Sequence, residues 1–412
     1  MGKEWDKSSQ ISLFLVALCL ALAYGVWYCY SVILVALLED FGWSRATLSG
    51  AFAIFAVVQG CTNPFVGYLC DRVPPPALTM FGGVMLGCAL FLDSFIQDQW
   101  HLYAYFGVLT SIAVSFCGWA PAVVQIQRRF RSRLGLALGI ASSGIGIGML
   151  LVVPLCQLLI QEFGWRTAFR VLALLSSISI IFAANYLLKQ WRMRAQDGAY
   201  NSITDREVGI SGARMRLRNL TKLICTRPFW LMISIFFLGA VSSQTLHVHQ
   251  VAYLVEHGIS AIAAAWVVGT VGIASVFGKT MGGWMSDFVE REKVYIGGLV
   301  ILLAAILTIV FAAAYGSIGV AYIYAVFLGI GYSATAAITP AMVSDRFDGE
   351  HFGTILGIGL FGSALGSALG PWSAGVLFDL TGSYNISFAI AAFCASLTIM
   401  VTYYARVLRL RM

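Results

Sequence analysis

Long apolar runs alternate along the chain with short polar breaks, and the runs match the thickness of a bilayer. A helix that spans a membrane needs about 20 mostly apolar residues. Twelve stretches have that character: 11–38, 46–69, 77–95, 102–126, 134–161, 167–189, 228–255, 260–284, 294–314, 318–343, 352–377 and 385–407. The breaks are short except for 190–227, which is polar, basic and poor in large apolar residues. The pattern predicts an all-α integral membrane protein with twelve transmembrane helices in two pseudo-symmetric six-helix bundles, residues 1–189 and 228–412, joined by a cytoplasmic linker loop at 190–227. The first run follows Lys3 and Lys7 and passes Ala21-Leu22-Ala23, which imitates a signal-peptidase site. It continues through Tyr24 to Leu38, beyond the length of a signal sequence, and reads as an uncleaved first span.

Composition agrees with this reading. Hydrophobic residues make up 59% of the 412 and charged residues 11%, where a soluble chain carries about a quarter charged. The net charge of +7 would suit a nucleic-acid partner if the basic residues were scattered or clustered on a domain. They are instead sorted by side. The breaks on the side of the two termini carry Lys3, Lys7, Arg72, Arg128, Arg129, Arg131, Arg133, Arg291, Lys293, Arg346, Arg406 and the basic linker, whereas the other side has Arg45, Arg166 and Arg170. The positive-inside rule places both termini in the cytoplasm and removes the need for nucleic acid. Nine cysteines are present. Cys19, Cys29, Cys88, Cys117 and Cys156 sit in apolar runs, where thiols act as small hydrophobes, and there is neither a CxxC pair nor a disulfide framework.

The two halves repeat one another. Gly67-Tyr68-Leu69-Cys70-Asp71 near the end of the second span matches Gly283-Trp284-Met285-Ser286-Asp287 near the end of the eighth in its GxxxD spacing. Arg129-Phe130 precedes the fifth span and Arg346-Phe347 the eleventh, and Phe163-Gly164-Trp165 ends the fifth where Leu380-Thr381-Gly382 ends the eleventh, at offsets of about 216 to 218 residues. A repeat of six helices is the signature of a secondary transporter with its site between the halves.

These motifs resemble the major facilitator superfamily, whose cytoplasmic loop motif is similar to Gly67–Arg72, with a second copy in Gly278–Asp287. Within it the chain looks most like the monocarboxylate transporter group, as a bacterial homologue, with the oxalate/formate exchangers as neighbours. The closer match lies in Glu39-Asp40-Phe41-Gly42-Trp43-Ser44-Arg45, in Arg128-Arg129-Phe130 with Gly135 and Gly139, and in His257-Gly258-Ile259-Ser260. The resemblance implies alternating access, a small organic anion such as lactate or pyruvate, proton symport, a bacterial inner membrane and a functional monomer among membrane lipids.

Several residues carry the chemistry. Asp71, Arg72, Asp287 and Arg129 stand at helix ends on the cytoplasmic side, where carboxylates and guanidinium groups pair with one another or with helix dipoles. They form a candidate latch between the halves. Gly135, Gly139, Gly144 and Gly148, and Gly362, Gly366 and Gly370, make small-residue faces for tight helix packing. Gly144-Ile145-Gly146 lacks the Lys-Ser or Lys-Thr of a nucleotide loop, so neither ATP nor another cofactor is expected. Lys279 is the formal charge set deep in the membrane, eight residues before Asp287 and so roughly 12 Å along the helix from it. A cation at depth costs about 2.5 kcal/mol or more without a compensating group. A substrate carboxylate would compensate it. In the group that the chain resembles, this helix carries a basic residue, usually arginine, that binds the substrate carboxylate; here a lysine supplies a point charge in place of a bidentate fork. A single buried cation, with no second one in the eleventh span where the exchangers usually carry it, favours a monoanion over a dianion.

Around Lys279 the candidate cavity takes Tyr28, with Tyr24, Trp27 and Ser31 on its face; Cys117 and Trp119, with Ser111 and Ser115 nearby; Ser143 beside Ser142; Tyr332; and Phe361. Aromatic rings with hydroxyl groups suit an anion with a short apolar tail. His247 and His249 lie about 200° apart around one helix, so one of them faces the cavity. His247, on the face of Ser243 and Gln244, is the candidate for substrate binding and, with Lys279, for proton coupling. The two histidines do not converge, and no metal site is expected. The resemblance also implies an acid one turn before Lys279, where Ser275 stands, and a lysine in the first span, which has no counterpart here. Carboxylate exchange of the oxalate/formate type, uniport and efflux of another small organic compound are the alternatives within transport. A membrane enzyme would need an acid, base or nucleophile cluster at membrane depth, and the chain has none. A sensor would call for an added domain beyond the short loop 190–227.

Overall fold

The computed structural model describes residues 6–70, 72–130, 134–196, 226–286, 288–346 and 352–411. In chain order the helices are α1 (Lys7–Phe41), α2 (Arg45–Cys70), α3 (Pro75–Asp93), α4 (Gln99–Arg129), α5 and α6 (134–163 and 165–196), α7 (Arg227–Glu256), α8 (Ala261–Met285), α9 (Arg291–Tyr315), α10 (Ile318–Arg346), α11 (Phe352–Thr381) and α12 (Asn385–Arg411). Among the described residues, nine helical runs are long and apolar enough to cross a membrane. One of these, Leu136–Met193, is long enough to do so twice, and α10 adds the shorter apolar stretch Ile318–Ser333. Asp71, Asp287 and most of the expected linker (197–225) lie outside the described residues, while α6 runs on as helix through Gln196, past the expected boundary at 189.

Local chemistry sets the helix ends. Asp6 caps α1 by accepting from Ser9 N at 2.8 Å, which satisfies one of the amide groups that any helix start leaves free. Gly42 ends α1 at φ 63°, with its N–H on Leu38 O, a left-handed cap that glycine adopts without strain. Gly164, at φ 77° and ψ 159°, breaks one continuous run into α5 and α6, in a conformation that costs a residue with a Cβ. α4 is irregular in two places: residues Tyr103–Thr110 form a π-helical stretch, and Gly118 leaves the helical region at ψ −140°.

Packing sorts the helices into two groups. α1 to α6 pack as one group, with α1 and α3 against the α5–α6 run and α2 and α3 against α4, α7 to α12 pack as the other, and the seams between the groups are α2 against α11, α5 against α8 and α1 against α7. At the α5–α8 seam Gly146 and Gly272 face each other so closely that a Cβ on either would run into the other's carbonyl oxygen. In lipid, where apolar surface gives no drive to associate, such backbone approach is what holds helices together. The outer surface is apolar instead of charged. Phe14, Phe81, Phe182, Phe277, Phe393 and Met400 are all more than half exposed, a surface that water would not tolerate over such an area and that lipid requires.

Candidate functional site

The centre of the molecule brings together side chains from both helix groups. On α1, Tyr28 is buried and its hydroxyl lies 3.4 Å from that of Tyr332 on α10. The ring of His247, on α7, stands 5.4 Å from that of Tyr28 and 4.8 Å from that of Tyr332. Tyr28 thus belongs to one group and meets His247 and Tyr332 of the other. On α8, Lys279 Nζ reaches across the α5–α8 seam and donates to Ser142 O at 3.5 Å. No carboxylate pairs with Lys279 among the described residues.

His247 is held in one orientation. Its Nδ1 is 2.8 Å from Ser243 O one turn back on its own helix. A carbonyl oxygen only accepts, so Nδ1 carries the proton, and the neutral ring presents Nε2 as a bare lone pair. That Nε2 is buried and has no hydrogen-bond partner among the described residues, and Gln244 Oε1 one turn away is in the same position. Such buried polar atoms are costly unless something arrives to pair with them. His249 turns the other way, with Nδ1 2.9 Å from Tyr384 Oη and Nε2 2.8 Å from Pro371 O.

The remaining candidates divide. Tyr24 lies against the backbone at Trp119 and near Cys117, and the helix break at Gly118 sets that approach. A Cβ at Gly118 would stand 2.5 Å from Val114 O. Cys117 is buried with Sγ turned to Ala113 O, and Trp119 is half-buried at the start of the last segment of α4. Ser143 spends its hydroxyl on Gly139 O at 3.0 Å, while its neighbour Ser142 holds the Lys279 contact. Phe361 is 39% exposed and faces the α2–α11 seam at Gly60, away from the residues gathered about His247. Trp27 packs edge-on against Phe52 and Phe55 of α2, and the Ser111 hydroxyl donates to Phe55 O; both serve helix packing. Ser275, where the resemblance places an acid, is buried with its hydroxyl on Gly272 O at 2.8 Å.

At the helix ends, Arg129 donates to the hydroxyls of Ser8 and Ser9 at 2.8 and 3.2 Å, tying α4 to α1 within one group. Arg72 lies over the ring of Tyr68, 4.2 Å from its centroid. A buried carboxyl that sequence reasoning did not count is Asp93, at the end of α3. It accepts from Thr110 Oγ1 at 2.9 Å, and its other oxygen has no partner among the described residues. Its position within the last turn of an apolar run hid it among boundary charges. A second feature missed by sequence is a cluster about Arg45, on the face away from the chain termini.

A helical membrane chain whose two groups meet around a half-buried cation, with no carboxylate partner among the described residues, has the architecture of a secondary transporter, and the model of the Major Facilitator Superfamily matches residues 16–251 and 248–410. The chain belongs to that superfamily: it is a multi-pass integral membrane transporter of a small molecule, and not an enzyme. It is similar to monocarboxylate transporter 12 of Xenopus laevis, 25% identical over 409 residues that cover 94% of this chain and 86% of the relative. It is also similar to monocarboxylate transporter 13 of Rattus norvegicus, 28% identical over 380 residues that cover 90% and 82%. Among solved structures, a bacterial homologue of the human lysosomal transporter Spinster, in an inward-facing and unoccupied conformation, shares the fold. Its TM-score is 0.68 at 15% identity, over 97% of this chain and 96% of that one.

Proposed function

We propose that the chain carries small monocarboxylate anions of the lactate and pyruvate kind together with a proton, by alternating access, with both termini on the cytoplasmic side of a bacterial inner membrane. The observation that carries the proposal is Lys279, an ammonium at membrane depth whose neighbour is a backbone carbonyl and not a carboxylate. A substrate carboxylate supplies the missing anion, and one cation takes one carboxylate. Tyr28 and Tyr332 add hydroxyl donors and ring surface for a short apolar tail. Cys117, Trp119 and Ser143 border this region, and Phe361 takes a place only if the α2–α11 seam opens toward it. The names of the relatives support the same class of substrate.

The tautomer of His247 supports proton coupling. With Nδ1–H engaged by Ser243 O, Nε2 repels a carboxylate while the ring is neutral and donates to it once protonated. Substrate anion and proton therefore enter as a pair. Ser275 offers no alternative carrier, because a serine hydroxyl does not titrate in this range. On the cytoplasmic side, Arg72, Arg129, Asp71 and Asp287 serve the opening and closing of that face.

Uptake of labelled lactate into proteoliposomes, with and without an inward proton gradient, tests the proposal. Replacing Lys279 by Ala is expected to lower gradient-driven uptake roughly tenfold or more, the effect of losing a hydrogen bond to a charged group of ~1.5–3 kcal/mol. Full uptake in a folded Lys279→Ala variant would remove Lys279 from the site. No flux of lactate or pyruvate in the wild type would remove the substrate class.

A further inference from the structure

We infer that Asp379 and Arg45 form a clamp between the two helix groups that holds shut the face of the transporter away from the chain termini. The inference rests on the alternating-access part of the reading above. α2 begins at Arg45, and the first amide groups of any helix lack partners in their own helix. Here Arg45 N and Ala46 N donate to Asp379 Oδ1 and Oδ2, at 2.9 and 2.7 Å. Asp379 is on α11, in the other helix group. A carboxylate at a helix start is stabilised by the amide dipoles as well as by the two hydrogen bonds.

The Arg45 side chain extends the same joint. Its guanidinium donates to Tyr384 Oη at 2.6 Å, lies 3.5 Å from the Glu256 carboxylate and covers the ring of Phe378 at 3.8 Å. With a neutral His249 the directions in the network agree. Pro371 O only accepts, so His249 Nε2 carries a proton. In the neutral ring His249 Nδ1 is a lone pair, and the Tyr384 hydroxyl donates to it. That leaves the Tyr384 oxygen to accept from Arg45. The described bonds are compatible in one arrangement, to which α2 contributes Arg45 and Ala46. Steric fit adds to this. A Cβ at Gly375 of α11 would run into Ser49 Oγ and stand 2.6 Å from Arg45 O, so the first turn of α2 lies directly against α11 there.

These bonds join Arg45 and Ala46 of one group to Glu256, Asp379 and Tyr384 of the other, so separating the groups at this face breaks them together. All of them lie at helix ends, where water replaces the lost partners, which a joint at mid-membrane could not do. The joint is also tied to the centre. His249 in the clamp and His247 in the central cluster are two positions apart on α7, about 200° around it. A shift of α7 that repositions one moves the other.

Hydrogen–deuterium exchange on the full-length protein in lipid nanodiscs tests this without any substrate. With Asp379→Ala, peptides covering 44–50 are expected to exchange roughly twofold to thirtyfold faster, the range that loss of a helix cap brings. Peptides on the opposite face, around 65–70 and 279–286, are expected to become more protected, because opening one face closes the other. A merely local cap would speed 44–50 and leave the far face unchanged, and that result would overturn the clamp, as would unchanged exchange at 44–50. Tyr384→Phe, which keeps the ring and cuts the bonds to Arg45 and His249, is expected to give a weaker shift of the same two-faced kind. It decides the matter should Asp379→Ala not fold. A two-faced shift in a protein that moves no monocarboxylate would leave the clamp standing and retire only the substrate.

Discussion

Lys279 and His247 contribute differently to the site because an ammonium brings its charge with it, whereas an imidazole must acquire one. Removing the lysine removes the anion's partner. Replacing His247 by Gln keeps a hydrogen-bonding group and removes the titration. The expected outcome is that His247→Gln still equilibrates lactate down its own gradient and no longer responds to an imposed proton gradient; retained stimulation would take the proton away from His247. A different residue-scale effect sits outside the membrane segments. Hydrogen bonds from Arg406, and then from Lys293, hold the Glu290 carboxyl down to about 2 from an ordinary 4.5. A lowered carboxyl stabilises the fold above its unfolded value and ceases to do so as pH falls through the folded one. Glu290→Gln is therefore expected to melt below the wild type at neutral pH, and the gap to close between pH 4.5 and about 2. A gap that persists at pH 2 would assign the difference to packing.

At the scale of helices, what distinguishes this chain is how closely backbones approach at the seams. Gly146 and Gly272 leave no room for a Cβ, so Gly272→Val is expected to force α5 and α8 apart. Overpacking of this kind costs ~1–3 kcal/mol, read as a lower melting temperature together with lost transport. Gly269 on the same helix meets Leu150 at 3.4 Å, and Gly269→Ala is the tolerant control. If both variants behave alike, close approach at Gly272 is not what the seam depends on. The small-residue faces were legible as a one-in-four pattern. Their partners were not, since the pattern does not say which helix lies opposite. The break between α5 and α6 was legible in Phe163-Gly164-Trp165, because the glycine lies between two apolar runs and can take the positive φ with extended ψ found there. The π-helical stretch Tyr103–Thr110 carries no such signal: it reads as one more apolar run.

Across the whole molecule the two faces differ. The sequence repeat drew attention to charges on the side of the termini, Asp71 and Asp287 among them, whereas the described contacts between the helix groups include a polar joint on the other side. Its exchange signature, a gain at one face and a loss at the other, is the prediction that belongs to this scale. Membrane residence, the helical class and the pseudo-repeat followed from the chain alone. Lipid offers no partner to a backbone amide, so each crossing must be a local run of about 20 apolar residues, and local runs are visible one residue after another. The place of Lys279 inside such a run followed in the same way. Which residues meet was decided only by the fold. Arg45 and Asp379 are 334 positions apart, and their contact depends on the rotation and depth of α2 and α11 about a shared seam. The same holds for the backbone carbonyl of Ser142, rather than a serine hydroxyl, against Lys279, and for Phe361 at the seam rather than among the central rings. A turn of 100° per residue separates neighbours on a helix, and only the packing of the other helices determines which of them faces the site.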